Sequence, residues 1–305
     1  MTDLDVDPAV PPAQDASVPA LWQRLSLPGL ADVHTHFLPA RMLRKVWAHF
    51  DDAGPLVGRP WPITYRWSEE DRVEHLRSMG VRHFTALAYA HRPGMAADLT
   101  DWALDFAART PGCAPSATFF PEPGVTEQVR SAVERGAAVF KLHVQVGAFD
   151  LREPVLDGAW GLLAESAVPV VVHAGSGPVP RGGLTGPGPL SEVLARHPAL
   201  TVVVAHMGTP EYEGFLEFAE RYPNVHLDTT MAFTDFFEET APFPRRLLPR
   251  VADLQHRVVL GTDFPNIPYP YAHQLEALEC LGLGDDWLRD VLWHNGVRLL
   301  GVVSP

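Results

Sequence analysis

Between Leu30 and Phe264 one pattern repeats: a short apolar run rich in β-branched residues, a polar or glycine-rich loop, a helical stretch and a small turn. The runs are Leu30–His36, Val81–Tyr89, Ser116–Pro121, Ala137–Gln145, Val168–Ala174, Leu200–Met207, Val225–Thr229 and Val258–Phe264, eight candidate strands in all. Between them apolar residues recur at three- and four-residue spacing, as in 68–79, 98–109, 126–135, 189–196 and 211–221. That is the period of an amphipathic helix. Ser68 followed by Asp71 resembles a capping box with Asp in place of Glu or Gln. Strand then helix, eight times over, predicts a parallel (β/α)8 TIM barrel of the α/β class. Val170-Val171-Val172 and Val202-Val203-Val204 fit strands covered on both faces. A doubly wound open sheet is the rival, and the return of polar residues at one position of the repeat favours the barrel.

One such barrel absorbs about 250 residues, so residues 21–305 read as a single domain. Residues 1–20, rich in Asp, Pro, Ala and Val without periodicity, are expected to form a poorly ordered tail. The connections 37–67, 176–188 and 231–249 are too long for turns, and in a barrel all three belong to its C-terminal face, where binding loops sit. The first and third are rich in aromatic residues, among them Trp61, Trp67, Phe236 and Phe237. They cover the mouth or pack against a second copy in a homo-oligomer, and both readings stand.

A formal net charge of −13 opposes nucleic acid or an anionic membrane as partner. A small-molecule substrate is the expected partner. Cys113 and Cys280 are too few for a disulfide framework and read as reduced packing residues. With no N-terminal signal pattern and no apolar run near ~18 residues, the cytoplasm is the expected compartment.

The polar residues at strand ends are His34 and His36, Lys141 and His143, His173, His206, Asp228 and Asp263. In Asp32-Val33-His34-Thr35-His36, strand alternation points Asp32, His34 and His36 one way, so two imidazoles share a face. His173 follows Lys141 by 32 positions and His206 follows His173 by 33, roughly one β/α unit each. Equal spacing predicts equal height around one mouth. Singly, each histidine has an ordinary reading as a core residue, and Asp263 one as a helix cap. Jointly, burying four histidines and an aspartate without a cation would require each to be desolvated and separately hydrogen-bonded.

These residues resemble the amidohydrolase superfamily: Asp-Val-His-Thr-His on the first strand, His173 on the fifth, His206 on the sixth and Gly-Thr-Asp on the eighth. Phe-Lys-Leu-His at 140–143, Val-Val-Ala-His-Met-Gly at 203–208 and Gly-Thr-Asp-Phe-Pro at 261–265 resemble its amidohydrolase 2 branch. That branch holds metal-dependent hydrolases and decarboxylases related to aminocarboxymuconate semialdehyde decarboxylase. The resemblance implies a distorted barrel in which His34, His36, His173 and Asp263 ligate a divalent metal, most often zinc, with His206 near the water or substrate.

Neutral imidazoles with one carboxylate suit zinc, and an open coordination position brings the pKa of water down toward about 7. Asp263 is then both ligand and acceptor of the water's proton, and His206 polarises a carbonyl or protonates the leaving group. Two readings of Lys141 stand. Carboxylated, as in some branches, it would bridge two metals with His143 close by; unmodified, it would anchor a substrate carboxylate or pair with Asp228. Arg181, in a glycine-rich loop, either reaches an anionic substrate group or is simply solvated. His49, His83, His91, His197, His256, His273 and His294 read as surface or packing residues. The expected activity is metal-dependent hydrolysis of a small ester, lactone or amide. Nonoxidative decarboxylation of a small carboxylic acid and a metabolite-binding barrel without catalysis are the alternatives.

Overall fold

The computed structural model describes residues 6–54 and 58–302. Its strands are β1 (Leu30–Asp32), β2 (Val81–Thr85), β3 (Cys113–Ala114), β4 (Ser116–Thr118), β5 (Val139–His143), β6 (Val170–His173), β7 (Val202–Val204), β8 (Val225–Asp228) and β9 (Val258–Val259). Every pairing is parallel and follows chain order, in the runs β1-β2-β3 and β4 through β9. Pro115 separates β3 from β4 because proline has no N–H to continue the ladder, yet its carbonyl still accepts from Ala138 N at 2.7 Å. The two segments are therefore one stave, and the staves number eight.

The first and last staves join just beyond their assigned ends. Val33 N donates to Leu260 O at 2.9 Å, Asp263 N to His34 O at 2.9 Å and His36 N to Phe264 O at 2.7 Å. An open sheet leaves its edge strands apart, so these bonds identify a (β/α)8 barrel. Val33, Val139, Val171, Val203 and Val259 fill its interior, whereas Val170, Val172, Val202 and Val204 belong to the layer beneath the helices. That alternation is the strand period of two.

The same period carries chemistry upward, from Val139 to Lys141 to His143 on one stave and from Val171 to His173 on the next. Register, however, sets Lys141 against Val171 and His143 against His173. Equal sequence spacing therefore does not give equal height: His143 is level with His173 and Lys141 lies one layer lower. Strands in a barrel are staggered by its shear, so a residue count along the chain does not measure height.

Two further expectations need correction. β1 stops at Asp32, whose Oδ1 accepts from His34 N at 3.1 Å in a local turn while its Oδ2 accepts from Thr262 Oγ1 at 2.6 Å and Tyr271 Oη at 3.0 Å. This turn breaks the alternation: Val33 enters the barrel interior, and Asp32 faces Thr262 and Tyr271 instead of sharing a face with His34 and His36. The N-terminal tail also folds, with a 3₁₀ turn at Ala13–Ser17 and a helix at Val18–Arg24. Asp15, 2% exposed, accepts from His75 Nε2 (2.8 Å), Tyr65 Oη (2.5 Å) and Ala272 N (2.9 Å). One buried carboxylate satisfied by three donors fixes a segment that has no apolar period of its own. Residues 1–5 of the expected tail lie outside the described residues.

Ser68 caps the helix Glu69–Ser78, accepting from Asp71 N at 3.1 Å while its hydroxyl donates to the Asp71 carboxylate at 2.6 Å. The first long connection carries the helix Ala40–Asp51 and packs over the mouth against the third. Trp61 meets Phe236 with ring centroids 4.9 Å apart, the Arg59 guanidinium lies 4.3 Å from the Phe236 ring, and Trp61 Nε1 donates to Asn266 O at 2.7 Å. No helix among the described residues is long and apolar enough to cross a membrane.

Candidate metal centre

The mouth of the barrel holds a cavity of about 1200 Å³ whose floor is made by His34, His36, Lys141, His173, His206 and Asp263. Three of the floor imidazoles are anchored through Nδ1. His34 Nδ1 lies 2.8 Å from Asp228 Oδ2, His36 Nδ1 donates to Leu87 O at 2.7 Å, and His206 Nδ1 donates to Thr230 O at 3.2 Å. A carbonyl only accepts, so in the neutral ring the proton sits on Nδ1 and Nε2 carries a bare lone pair. This outer bonding is how metal-ligating histidines are oriented.

The lone pairs converge on Asp263. Its Oδ1 lies 2.8 Å from His36 Nε2 and 3.5 Å from His34 Nε2. A neutral imidazole lone pair and a carboxylate oxygen 2.8 Å apart repel unless a proton or a cation stands between them. Ligands held at about 2.0–2.2 Å from one ion fall within such distances of each other, so these donors fit a divalent metal. His34, His206 and Asp263 offer donor atoms all within 4.8 Å of one another.

Burial drives the protonation states the same way. It pushes the His34 pKa down to about 4, with Lys141 adding to the effect, and it pushes His206 to about 4. His143 and His173 are held well below the usual histidine value, first by burial and then by neighbouring imidazoles. Burial opposes ionisation of Asp263 and Asp228, but hydrogen bonds and charge from the surrounding histidines outweigh it and keep both well below the usual carboxylate range. Neutral imidazoles around an ionised carboxylate are the protonation states that metal binding requires.

Two motifs have steric reasons. A Cβ at Gly261 would lie 2.2 Å from Thr230 Oγ1 and 2.8 Å from His34 Cβ, so only glycine lets the last stave approach the first histidine. His206 and Asp263 have φ of 55° and 70°, the left-handed region, a cost of about 1–3 kcal/mol each that marks backbone held for function.

The remaining site residues separate. His173 directs Nε2 to Gly177 O at 3.1 Å, its ring lies 4.6 Å from that of His206, and it stacks on His143 at 4.0 Å. The compact donor group therefore contains His206 and not His173. His143 caps a short helix, its Nδ1 accepting from Val146 N at 3.4 Å. Lys141 is 1% exposed, its pKa is pushed down to about 8 by burial, and its Nζ donates to His34 Nε2 at 2.9 Å. It meets His34 rather than pairing with Asp228. Arg181 is exposed, lines the cavity and donates through Nε to Gln145 O at 3.2 Å.

Several contacts of the site had no sequence signal of their own. Asp228 bridges two parts of the site, with Oδ2 on His34 and Oδ1 accepting from His206 N at 2.8 Å. Its strand-end position marked it, but the bridge depends on a contact between distant staves. Tyr89, its ring 4.9 Å from His143 and 6.1 Å from His36, and Asn266, whose buried Oδ1 has no partner among the described residues, also line the cavity. So do His49 and His91, which the sequence had marked as surface or packing residues.

The amidohydrolase family model matches residues 31–302. No curated protein matches the chain. Among solved structures, an uncharacterized TIM-barrel protein from Bordetella bronchiseptica is 19% identical, with a TM-score of 0.69 over 89% of this chain and 99% of that one. The 5-carboxyvanillate decarboxylase of Sphingomonas paucimobilis is 15% identical, with a TM-score of 0.60 over 90% and 100%. The Novosphingobium aromaticivorans decarboxylase of the same name, solved with bound manganese, is 14% identical, with a TM-score of 0.58 over 89% and 96%. At these identities the likeness is one of fold, whereas the family match spans the barrel and every strand-end residue of the site: the chain belongs to the amidohydrolase family.

Proposed function

We propose that this amidohydrolase-family chain is a metal-dependent hydrolase that cleaves a small-molecule ester, lactone or amide. The observation that carries the reading is the convergence of anchored imidazole lone pairs on the Asp263 carboxylate at the floor of an open cavity. His34, His36 and Asp263 would hold the ion, and His173 would complete the set on exchanging the Gly177 carbonyl for it. Zinc is the proposed metal, since neutral imidazoles and one carboxylate suit it. When bound, a divalent ion supplies Lewis acidity, polarising a carbonyl and bringing the ionisation of water toward about pH 7.

Water then adds its oxygen to the acyl carbon while the C–O or C–N bond breaks. Asp263, ionised, accepts the proton that water loses. His206 Nε2, bare because Nδ1 is committed to Thr230 O, takes up that proton from the Asp263 carboxyl and passes it to the leaving oxygen or nitrogen. Asp228 keeps both rings oriented through His34 Nδ1 and His206 N. Lys141, unmodified, would leave His34 Nε2 free to hold the ion and offer its ammonium to a substrate carboxylate.

The second reading is nonoxidative decarboxylation, favoured by Lys141 on the floor and by two structural neighbours named as decarboxylases. One panel separates the two: metal-loaded protein with lactones, esters, amides and aromatic carboxylates, following fragments and carbon dioxide. Two fragments with no carbon dioxide is the expected result, and carbon dioxide release without hydrolysis of any member overturns it. Metal stoichiometry with Lys141→Ala bears on that residue. One ion and no rescue by a short carboxylate is expected, while two ions with rescue means carboxylation.

A further inference from the structure

The outer lining of the cavity is basic, in a chain whose formal net charge is −13. Arg41 and Lys45, one turn apart on the helix Ala40–Asp51, line it from the first long loop, Arg92 from the segment after β2 and Arg181 from the segment after β6. None of the four has a carboxylate within 4.0 Å among the described residues, whereas Arg24, Arg152 and Arg250 are each shared between two acids. Asp98, the acid of this outer lining, pairs with none of them. The chain has only two lysines, Lys45 and Lys141, and both line this cavity. His91 beside them has its pKa lowered, by burial and then by Arg92 and Lys45, which reports the positive field there.

Unpaired cations gathered on one concave surface repel one another and focus the field, so the arrangement is favourable only toward an anion. The same cavity is lined by the apolar side chains of Met42, Met95, Phe236 and Phe237, the last with its ring 5.9 Å from that of His206 on the floor. The cavity, about 1200 Å³, also exceeds the roughly 300–1,000 Å³ of a typical small-ligand pocket. We propose that the rim formed by Arg41, Lys45, Arg92 and Arg181 binds an oxyanion, carboxylate or phosphate, carried by the substrate at the end remote from the reacting bond. The substrate is then an elongated molecule with an apolar middle and an anionic tail. This names a substrate class for the hydrolase reading and rests on that reading for the bond cleaved.

Binding without turnover tests it. Full-length, zinc-loaded protein is titrated calorimetrically with paired probes: pentanoate and glutarate, octanoate and suberate, decanoate and sebacate. In each pair one carboxylate can take the floor, and only the diacid offers a second to the rim. At one length or more the diacid should bind about tenfold tighter than its monoacid, with the advantage shrinking as salt rises. The double variant Lys45→Gln/Arg92→Gln should erase that advantage while retaining monoacid affinity. Equal affinities at every length, or an advantage that survives the double variant, would overturn the rim. The ω-phosphonate of the best length separates the sources: tighter than the diacid means phosphate, equal or weaker means carboxylate. A failed hydrolysis panel with a positive rim titration sinks the hydrolase reading alone, and the reverse sinks the rim alone.

Discussion

The floor and the rim of one cavity are built on opposite rules. On the floor, His34, His36, Lys141, His173 and His206 are buried, and each ring or ammonium has a partner at 2.7 to 3.2 Å. At the rim, Arg41, Lys45, Arg92 and Arg181 are exposed and free of acidic partners among the described residues. A group that must meet a reacting atom within tenths of an ångström needs an outer shell to hold it. A group that collects a charged tail works at longer range and gains from mobility. The contrast divides the labour: the floor sets the reaction, and the rim selects what reaches it.

The largest effect should come from Asp263→Ala, which removes both a ligand and the proton acceptor. Turnover should fall by at least about 10⁴-fold, with bound metal lost and the thermal midpoint nearly unchanged. Elemental analysis and kcat on one preparation check this, and retained turnover would break the floor's role. His206→Asn should lower kcat by roughly 10²- to 10⁴-fold with metal retained, while His173→Ala loses the metal. The opposite metal contents would exchange the roles of the two histidines, in line with the donor group that contains His206. Asp228→Asn should weaken metal affinity by about 10- to 100-fold by unpinning His34, measured by competition with a chelator. The smallest effect belongs to the rim: Lys45→Gln alone should raise KM for an anionic substrate a few-fold with kcat unchanged. A fall in kcat there would erase the distinction between floor and rim.

The floor was legible in the sequence because β/α repetition fixes strand ends, and strand ends at one face of a barrel converge. That repetition marked His34, His36, Lys141, His143, His173, His206, Asp228 and Asp263 as strand-end residues, whereas the ligand set His34, His36, His173 and Asp263 came from the family resemblance. What stayed hidden depends on contacts between distant segments or on loops without a period. The turn at Asp32 that sends Val33 inward, the stagger that sets His143 rather than Lys141 beside His173, and the burial of Asp15 under Tyr65, His75 and Ala272 are of the first kind. Arg41, Lys45 and Arg92 are of the second kind. A cation on an exposed helix or loop reads as solvated until the fold gives it a concave surface to line. Arg181 stood out only because its glycine-rich loop follows a barrel strand.

The central claim is that the floor binds one divalent ion that the reaction requires, and a zinc titration of chelator-stripped protein tests it most directly. Calorimetry should show about one equivalent bound by the wild type and none by His36→Ala, with hydrolysis absent from stripped protein and restored by zinc or manganese. Full turnover by stripped protein, or zinc binding undiminished in His36→Ala, would contradict the account.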